Sequence, residues 1–264
     1  MIRFTVRTLL KNRVLWAWPG IFILFVGAIA VWGGISPAPS SSSYLIELGD
    51  IDLPAGMIIN QIVSMVILIT IIGMPTHFAE SLKPERASLL LSKPISRTEF
   101  FFSDIAGVSI IYILYAAISV ILLALLTIVH GILFPFQHVI ALLIFLPLTL
   151  IAYYITIILF IILTNSYLGG VLLGYFLTGF SALFINVEQF MKMVKLFGLE
   201  DTYAVTIFKI AGYFIPSAAA FQQIMQDMFN SGLSSIDLSL FGYAFATCLP
   251  FLLLSYYLLQ KKQF

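Results

Sequence analysis

ESLKPERASLLLSKPISRTEFFFSD, residues 80–104, is a long polar interruption with a pattern of its own, set between two apolar runs, Met57 to Ala79 and Ile105 to Val129. Each run exceeds the roughly 20 residues that a helix needs to cross hydrocarbon. Lys83, Arg86, Lys93 and Arg97 make the interruption basic, and basic loops between spans stay on the cytoplasmic side. The stretch therefore reads as a cytosolic hairpin joining two membrane helices, a handle by which a soluble partner can grip a membrane protein.

Composition agrees with that reading. Of 264 residues, 61% are hydrophobic and 9% charged, and the mean hydropathy is +1.08; soluble domains carry about 25% charged residues. The expected class is an all-α, multi-pass protein of the cell membrane. Residues 1–264 form a single transmembrane domain, with no room for a separate soluble one.

The net charge of +1 conceals a sorting along the chain. Arg3, Arg7, Lys11 and Arg13 precede the first apolar run, four basic residues lie in the hairpin, and Lys261 and Lys262 follow the last run. Glu47, Asp50, Asp52, Glu188, Glu200, Asp201, Asp227 and Asp237 occupy the alternate loops. The positive-inside rule puts both termini and the hairpin in the cytoplasm and the acidic loops outside. Six spans satisfy this: Val14 to Ile35, Met57 to Ala79, Ile105 to Val129, Val139 to Leu163, Leu168 to Val187, and Leu238 to Leu259. Tyr203 to Phe221 is nearly apolar enough for a seventh, but Lys209, Gly212 and Pro216 break it, and an odd number would leave Lys261 and Lys262 outside. Residues 188–237 are expected to form two short outer helices or a re-entrant pair, since broken backbone at membrane depth needs protein or a cavity over it.

The first run is too long for the apolar core of a cleaved signal peptide and is expected to remain as a span. Before it, Arg3, Arg7 and Lys11 recur every fourth residue and form one stripe, with Ile2, Phe4, Val6, Leu9 and Leu10 mainly elsewhere. Residues 1–13 thus describe a helix lying in the interface, or else a plain basic flank of the first span.

Several chemistries find no residues to carry them. No Gly-Lys dipeptide occurs, so there is no phosphate-cradling G-x-x-x-x-G-K-[ST] loop, and neither H-E-x-x-H nor G-x-S-x-G is present. The six spans as bounded contain no Asp, Glu, Lys or Arg, which leaves nothing for intramembrane catalysis or ion coupling. His77 falls at one end of its span while His130 and His138 fall at the other, roughly 30 Å apart, too far to share a metal. His130 and His138 flank a turn through Pro135 and are read as interfacial histidines bonded to water or headgroups. Cys248 reads as a small packing residue. An enzyme is not expected, and the power source must come from outside the membrane.

The hairpin pattern, Glu80 followed by Leu89-Leu90-Leu91-Ser92-Lys93-Pro94-Ile95-Ser96-Arg97 between the second and third of six spans, resembles the permeases of type-2 ABC transporters. The likeness extends to the basic amphipathic start, the short loop between the fourth and fifth spans, and the broken segment before the sixth. Where members commonly carry Gly-Thr before the leucines, this chain has Glu85, Arg86 and Ala87. The resemblance implies a permease that pairs with a second copy or a homologous permease and binds cytosolic ABC ATPase subunits. It implies that the hairpin is a coupling helix seated on the ATPase, that ATP and Mg sit on that partner, and that this chain binds no cofactor itself.

On that reading Leu89, Leu90, Leu91 and Ile95 are apolar anchors, Lys83, Arg86, Lys93 and Arg97 are rim charges that orient docking, and Glu80 and Glu85 belong to the same ATPase-binding set. Pro94 stops one short helix and starts another. The bland reading of the same loop is basic residues pinned to anionic headgroups. Gly170 and Gly174, a small-xxx-small pair, suit close helix packing, either between subunits or within one. The expected function is the membrane subunit of an ATP-driven exporter. Charge-free, aromatic-rich spans point to an apolar or amphipathic cargo such as a lipid, peptide or antibiotic. The alternatives are a subunit that transmits force without passing cargo, and a membrane scaffold that transports nothing. Membrane lipids are further partners; nucleic acid is not.

Overall fold

The computed structural model describes residues 2–37, 44–48, 51–54, 64–68, 70–83, 96–131, 134–185, 210, 212, 215–233 and 236–262. Within them the apolar segments are helical, the state in which a chain deprived of water satisfies its own backbone. α1 is Ile2–Leu10 and α2 is Arg13–Trp32. α3 is Ser64–Ser81, closing with the segment Pro75–Ser81. α4 is Arg97–Val129, α5 is Phe136–Thr164 and α6 is Tyr167–Ile185. α7 is Ala218–Ser231 and α8 is Leu238–Lys261.

Among the described residues four helices, α3, α4, α5 and α8, are long and apolar enough to cross a membrane, and α1 with α2, bent by 64°, makes a fifth if the pair is one span. The described side chains of α6, Tyr167–Phe180, form an apolar helix shorter than a span. The helical class expected from composition is present; the six-span count is not reached on these residues.

Two boundaries differ from expectation. The first apolar run stops being helical at Trp32, and Gly34–Pro37 (β1), Tyr44–Leu48 (β2) and Ile51–Pro54 (β3) form a three-stranded antiparallel sheet in the order β1-β2-β3. The stretch between the first two expected spans, with Glu47, Asp50 and Asp52, was expected as an outer loop. Only two residues separate β2 from β3, the spacing of a tight hairpin. The second difference is at α4, which begins at Arg97, eight residues before the apolar run it was expected to match. Ser96 caps it: its hydroxyl oxygen accepts from the Glu99 N–H at 3.0 Å. Ser96-x-x-Glu99 is the sequence of a capping box.

α5 is the hub of the bundle. In its most apolar stretch 78% of residues are buried, against 22% for α8, and Leu146, Leu150, Tyr154, Ile157, Ile158 and Ile161 are almost fully enclosed. A single π-helical stretch, Ala141–Phe145, interrupts it just before Pro147. Proline has no N–H to give the carbonyl four residues back, and a local change of winding absorbs that loss. Leu24, Ile121, Leu125, Phe176, Leu249 and Leu253 stand on the outside of the helices, as lipid, rather than water, permits.

Of the expected outer segment 188–237, one helix is described in full. α7 packs against α5, α6 and α8. At its start the Ser217 N–H donates to Thr247 Oγ1 at 3.1 Å; at its end a Cβ on Gly232 would lie 2.9 Å from Gln137 Oε1, near the beginning of α5. Thr247 lies nine residues into α8, about 14 Å along its axis at 1.5 Å per residue. α7 therefore runs alongside the bundle rather than across its end. His138 is buried and bonded to protein here, not to the water or headgroups expected of it: its Nε2 lies 3.3 Å from the Phe229 carbonyl and its ring centroid 4.3 Å from that of Phe229. Asp237 caps α8. Its carboxylate accepts from the Ser239 hydroxyl at 2.6 Å and from the Ser239 and Leu240 N–H groups at 2.8 and 3.3 Å, bonds that hold it below the usual carboxylate pKa, the hydroxyl's foremost.

The sidedness read from charge is testable with single cysteines at Ser42, Ser88 and Ser231 in a Cys248→Ala background. Membrane-impermeant maleimide added to intact cells is expected to label positions 42 and 231 and to spare 88 until the membrane is opened. Labelling at 88 from outside reverses the map.

Candidate functional site

Arg97, Phe101 and Asp104 lie at i, i+4 and i+7 and share one face of α4. Arg97 and Phe101 turn towards the last helix. One nitrogen of Arg97, Nη1, donates to three carbonyl oxygens at the end of α8: Leu259 at 3.3 Å, Gln260 at 2.7 Å and Lys262 at 2.6 Å. The last carbonyls of a helix have no partner within it and carry its negative dipole end, so a guanidinium is a fitting cap. Thr98 Oγ1 lies 3.0 Å from Tyr256 Oη and accepts from Gln260 Nε2 at 3.1 Å. Phe101 is buried with its ring 5.8 Å from Tyr256. The start of α4 and the end of α8 are thus tied together. Lys262 continues the seam by donating from Nζ to the Ile162 carbonyl on α5 at 3.1 Å, in a setting where burial pushes its pKa down.

Two turns into α4, Asp104 is 1% exposed. One carboxylate oxygen lies 3.2 Å from His77 Nδ1 on α3, and the other accepts from the Tyr154 hydroxyl on α5 at 2.5 Å. Tyr112 packs edge-on against Tyr154 at 6.4 Å. A buried carboxylate is costly unless its lone pairs are taken up, and here α3 and α5 both supply partners. His77 stands just before the stretch of residues 80–104 and Asp104 closes it, so the pair fastens its two ends together and Tyr154 fastens both to the hub. Stacked rings of Phe78 and Phe100, 5.8 Å apart, add an apolar contact between the same ends.

The α1–α2 corner is tied to this cluster. A Cβ on Gly107 would come within 2.8 Å of the Thr5 side chain, so α1 lies directly on α4. The Phe4 ring is 6.3 Å from that of His77. Asn12 Nδ2 donates to the Gly73 carbonyl at 3.3 Å, and the Tyr115 hydroxyl to the Leu15 carbonyl at 2.7 Å.

The structure places the sequence-derived candidates unevenly. Glu80 is partly buried at the end of α3, Lys83 is exposed just beyond it, and Arg97 lies against α8 rather than on an open rim. Glu85, Arg86, Leu89, Leu90, Leu91, Lys93, Pro94 and Ile95 lie outside the described residues. Gly170 and Gly174 face α5 of the same chain. A Cβ on Gly170 would sit 2.3 Å from Ile161 Cγ1, and one on Gly174 2.6 Å from Ile157 Cγ1. The two contacts step by four residues in opposite directions, the register of an antiparallel helix pair. Asn165, in the left-handed conformation at φ 53°, turns the chain between them, a role asparagine tolerates better than most residues.

Asp104 and Tyr154 were not singled out by sequence reasoning, and His77 was weighed there only as a metal ligand. Asp104 abuts the apolar run that begins at Ile105, one residue outside the expected span, and so escaped the statement that the spans hold no ionisable group. The available signal was a lone carboxylate inside Phe100-Phe101-Phe102-Ser103-Asp104-Ile105, where only a partnered charge is stable. Its partners lie 27 and 50 residues away and have no local mark. Among the described residues no three His, Cys, Asp or Glu side chains converge as metal ligands would. The arrangement is a seam of hydrogen bonds that ties α3, α4, α5 and α8 together. No protein-family model matches this chain, and neither does any curated protein or solved structure.

Proposed function

We propose that this chain is the permease subunit of an ATP-driven exporter, with six spans that include α2 and α6, cytosolic termini, and a cytosolic hairpin at residues 80–104 docked on a separate ABC ATPase. ATP and Mg belong to that ATPase, and a second permease copy or a homologue completes the assembly. The observation that carries this reading is the double fastening of the hairpin stems, Asp104 to His77 and Tyr154, and Arg97 to the last carbonyls of α8. Shifting a two-state equilibrium from 1:99 to 99:1 takes about 5.5 kcal/mol, and a loosely tethered loop would dissipate such a bias before it reached the spans. The cargo is apolar or amphipathic. In support, a cavity of about 170 Å³ between α5, α7 and α8 is lined by Leu148, Ile151, Ile155, Phe221, Phe245 and Leu249 among others, without a charged group.

Leu90→Asp and Arg97→Glu are expected to lose ATPase pull-down or permease-dependent ATP turnover in the reconstituted complex, with membrane insertion retained. Arg97→Glu acts through the seam as well, because it sets a carboxylate against the carbonyls of α8. Simple lipid anchoring predicts instead that Lys83→Glu, Lys93→Glu and Arg97→Glu are equivalent. Full binding and full turnover in both Leu90→Asp and Arg97→Glu would remove the hairpin as coupling element. Binding without stimulated turnover or cargo movement would make the chain a membrane anchor.

A further inference from the structure

The basic face of α1 is left over by this function. Arg3, Arg7, Lys11 and Arg13 are all exposed, and among the described residues none of them pairs with a carboxylate. Three of the four recur at i, i+4 and i+8, where like charges repel along a helix. Thr5 and Leu9 on the opposite side are buried against α4, so the stripe points away from the bundle. At 100° per residue, Phe4 and Leu10 border the stripe on its two sides, and both are exposed, at 55% and 39%. Trp16, 52% exposed, stands at the corner with its indole N–H donating to the Leu10 carbonyl at 2.7 Å.

A stripe of cations edged by apolar side chains, with a tryptophan beside it, matches a bilayer boundary, where phosphates lie above acyl chains and indoles sit at headgroup level. The position along α4 agrees. That helix has 33 residues where about 20 cross hydrocarbon, and Thr5 touches it at Gly107, ten residues from its capped start. We propose that α1 is a receptor for anionic phospholipid headgroups of the cytoplasmic leaflet, and that their binding clamps the hairpin stem. The clamp runs through two contacts: Thr5 on Gly107 holds α4, and Phe4 on His77 holds the end of α3 next to Asp104. Neutral lipid leaves the three-cation stripe repelling itself and α1 free to lift; anionic lipid presses it down. The proposal rests on the cytosolic placement of α1, which the single-cysteine labelling tests separately.

The test is backbone hydrogen exchange of the full chain in vesicles of phosphatidylcholine and in vesicles of equal parts phosphatidylcholine and phosphatidylglycerol. Residues 2–10 and 75–81 are expected to exchange at least about tenfold more slowly in the anionic vesicles, given about 1 kcal/mol per basic residue near such a surface, and high salt should erase the difference. The Arg3→Gln, Arg7→Gln, Lys11→Gln triple variant should exchange equally in both, and no faster than the wild type in phosphatidylcholine, since the repulsion along the stripe is gone. Equal protection of the wild type in the two bilayers would overturn the proposal. So would a triple variant that keeps the anionic response, including one that loses ATPase binding instead, since the stripe would then belong to a protein partner.

Discussion

Gly174→Leu is expected to destabilise the α5–α6 pair by about 3 kcal/mol or more, and Gly170→Leu by at least as much. The reason is distance. The first carbon of the new side chain would already stand 2.6 Å from Ile157 Cγ1 and 2.8 Å from its Cα, and at Gly170 2.8 Å from the Ile161 backbone nitrogen. A flexible side-chain end can swing away, but helix backbone cannot, so the two helices must separate along their length and give up their contact. Overpacking in a well-filled core costs about 1–3 kcal/mol where neighbours can adjust, and here they adjust poorly. Leu173→Ala, on the exposed side of α6, is the control and should change little. The measurement is thermal melting in detergent together with the elution profile of the purified chain. The loss is expected in the monomeric species, because both glycines are covered by the same chain. A Gly174→Leu protein that melts with the wild type would refute this, and one that melts normally but loses a dimer would move the glycines to an interface between subunits.

Asp104→Ala should cost about 2–3 kcal/mol and separate the hairpin from the bundle. Removing the carboxylate leaves the Tyr154 hydroxyl enclosed with no acceptor, and a buried donor without a partner costs about 1–3 kcal/mol. His77 loses its partner in the same step. Asp104→Asn keeps an oxygen for Tyr154 and should cost less. Tyr154→Phe removes the donor and leaves the carboxylate to His77 alone. A double-mutant cycle between Asp104→Ala and Tyr154→Phe should therefore show strong coupling, the signature of two groups that act as one. In the reconstituted transporter proposed above, Asp104→Ala should retain ATPase binding through residues 84–95 yet lose the dependence of turnover on the permease. Unchanged melting and full coupling in Asp104→Ala would reduce the seam to ordinary packing.

Much of the architecture was legible in local sums. Hydropathy over windows of about 20 residues marked α3, α4, α5 and α8, because in lipid each helix satisfies its own backbone and needs no distant residue to do so. Proline placement and the Ser96-x-x-Glu99 cap set ends in the same local way, although the cap was not read and α4 began earlier than expected. Small residues four apart marked Gly170 and Gly174 as a packing face. The strands at residues 34–54 were missed because a short strand carries little signal beside an apolar run.

What the sequence determined by itself was a helical chain apolar enough for a membrane, with a basic stretch between two of its helices, since those properties are additive along the chain. Only the tertiary structure decided which side chains meet. Asp104 finds His77 and Tyr154, Arg97 reaches carbonyls 162 to 165 residues away, and the glycine pair faces Ile157 and Ile161 instead of a second subunit. Each of these depends on helix order, crossing and rotation. Those are set by the fit of whole surfaces, and a one-dimensional pattern specifies a face without specifying what it faces.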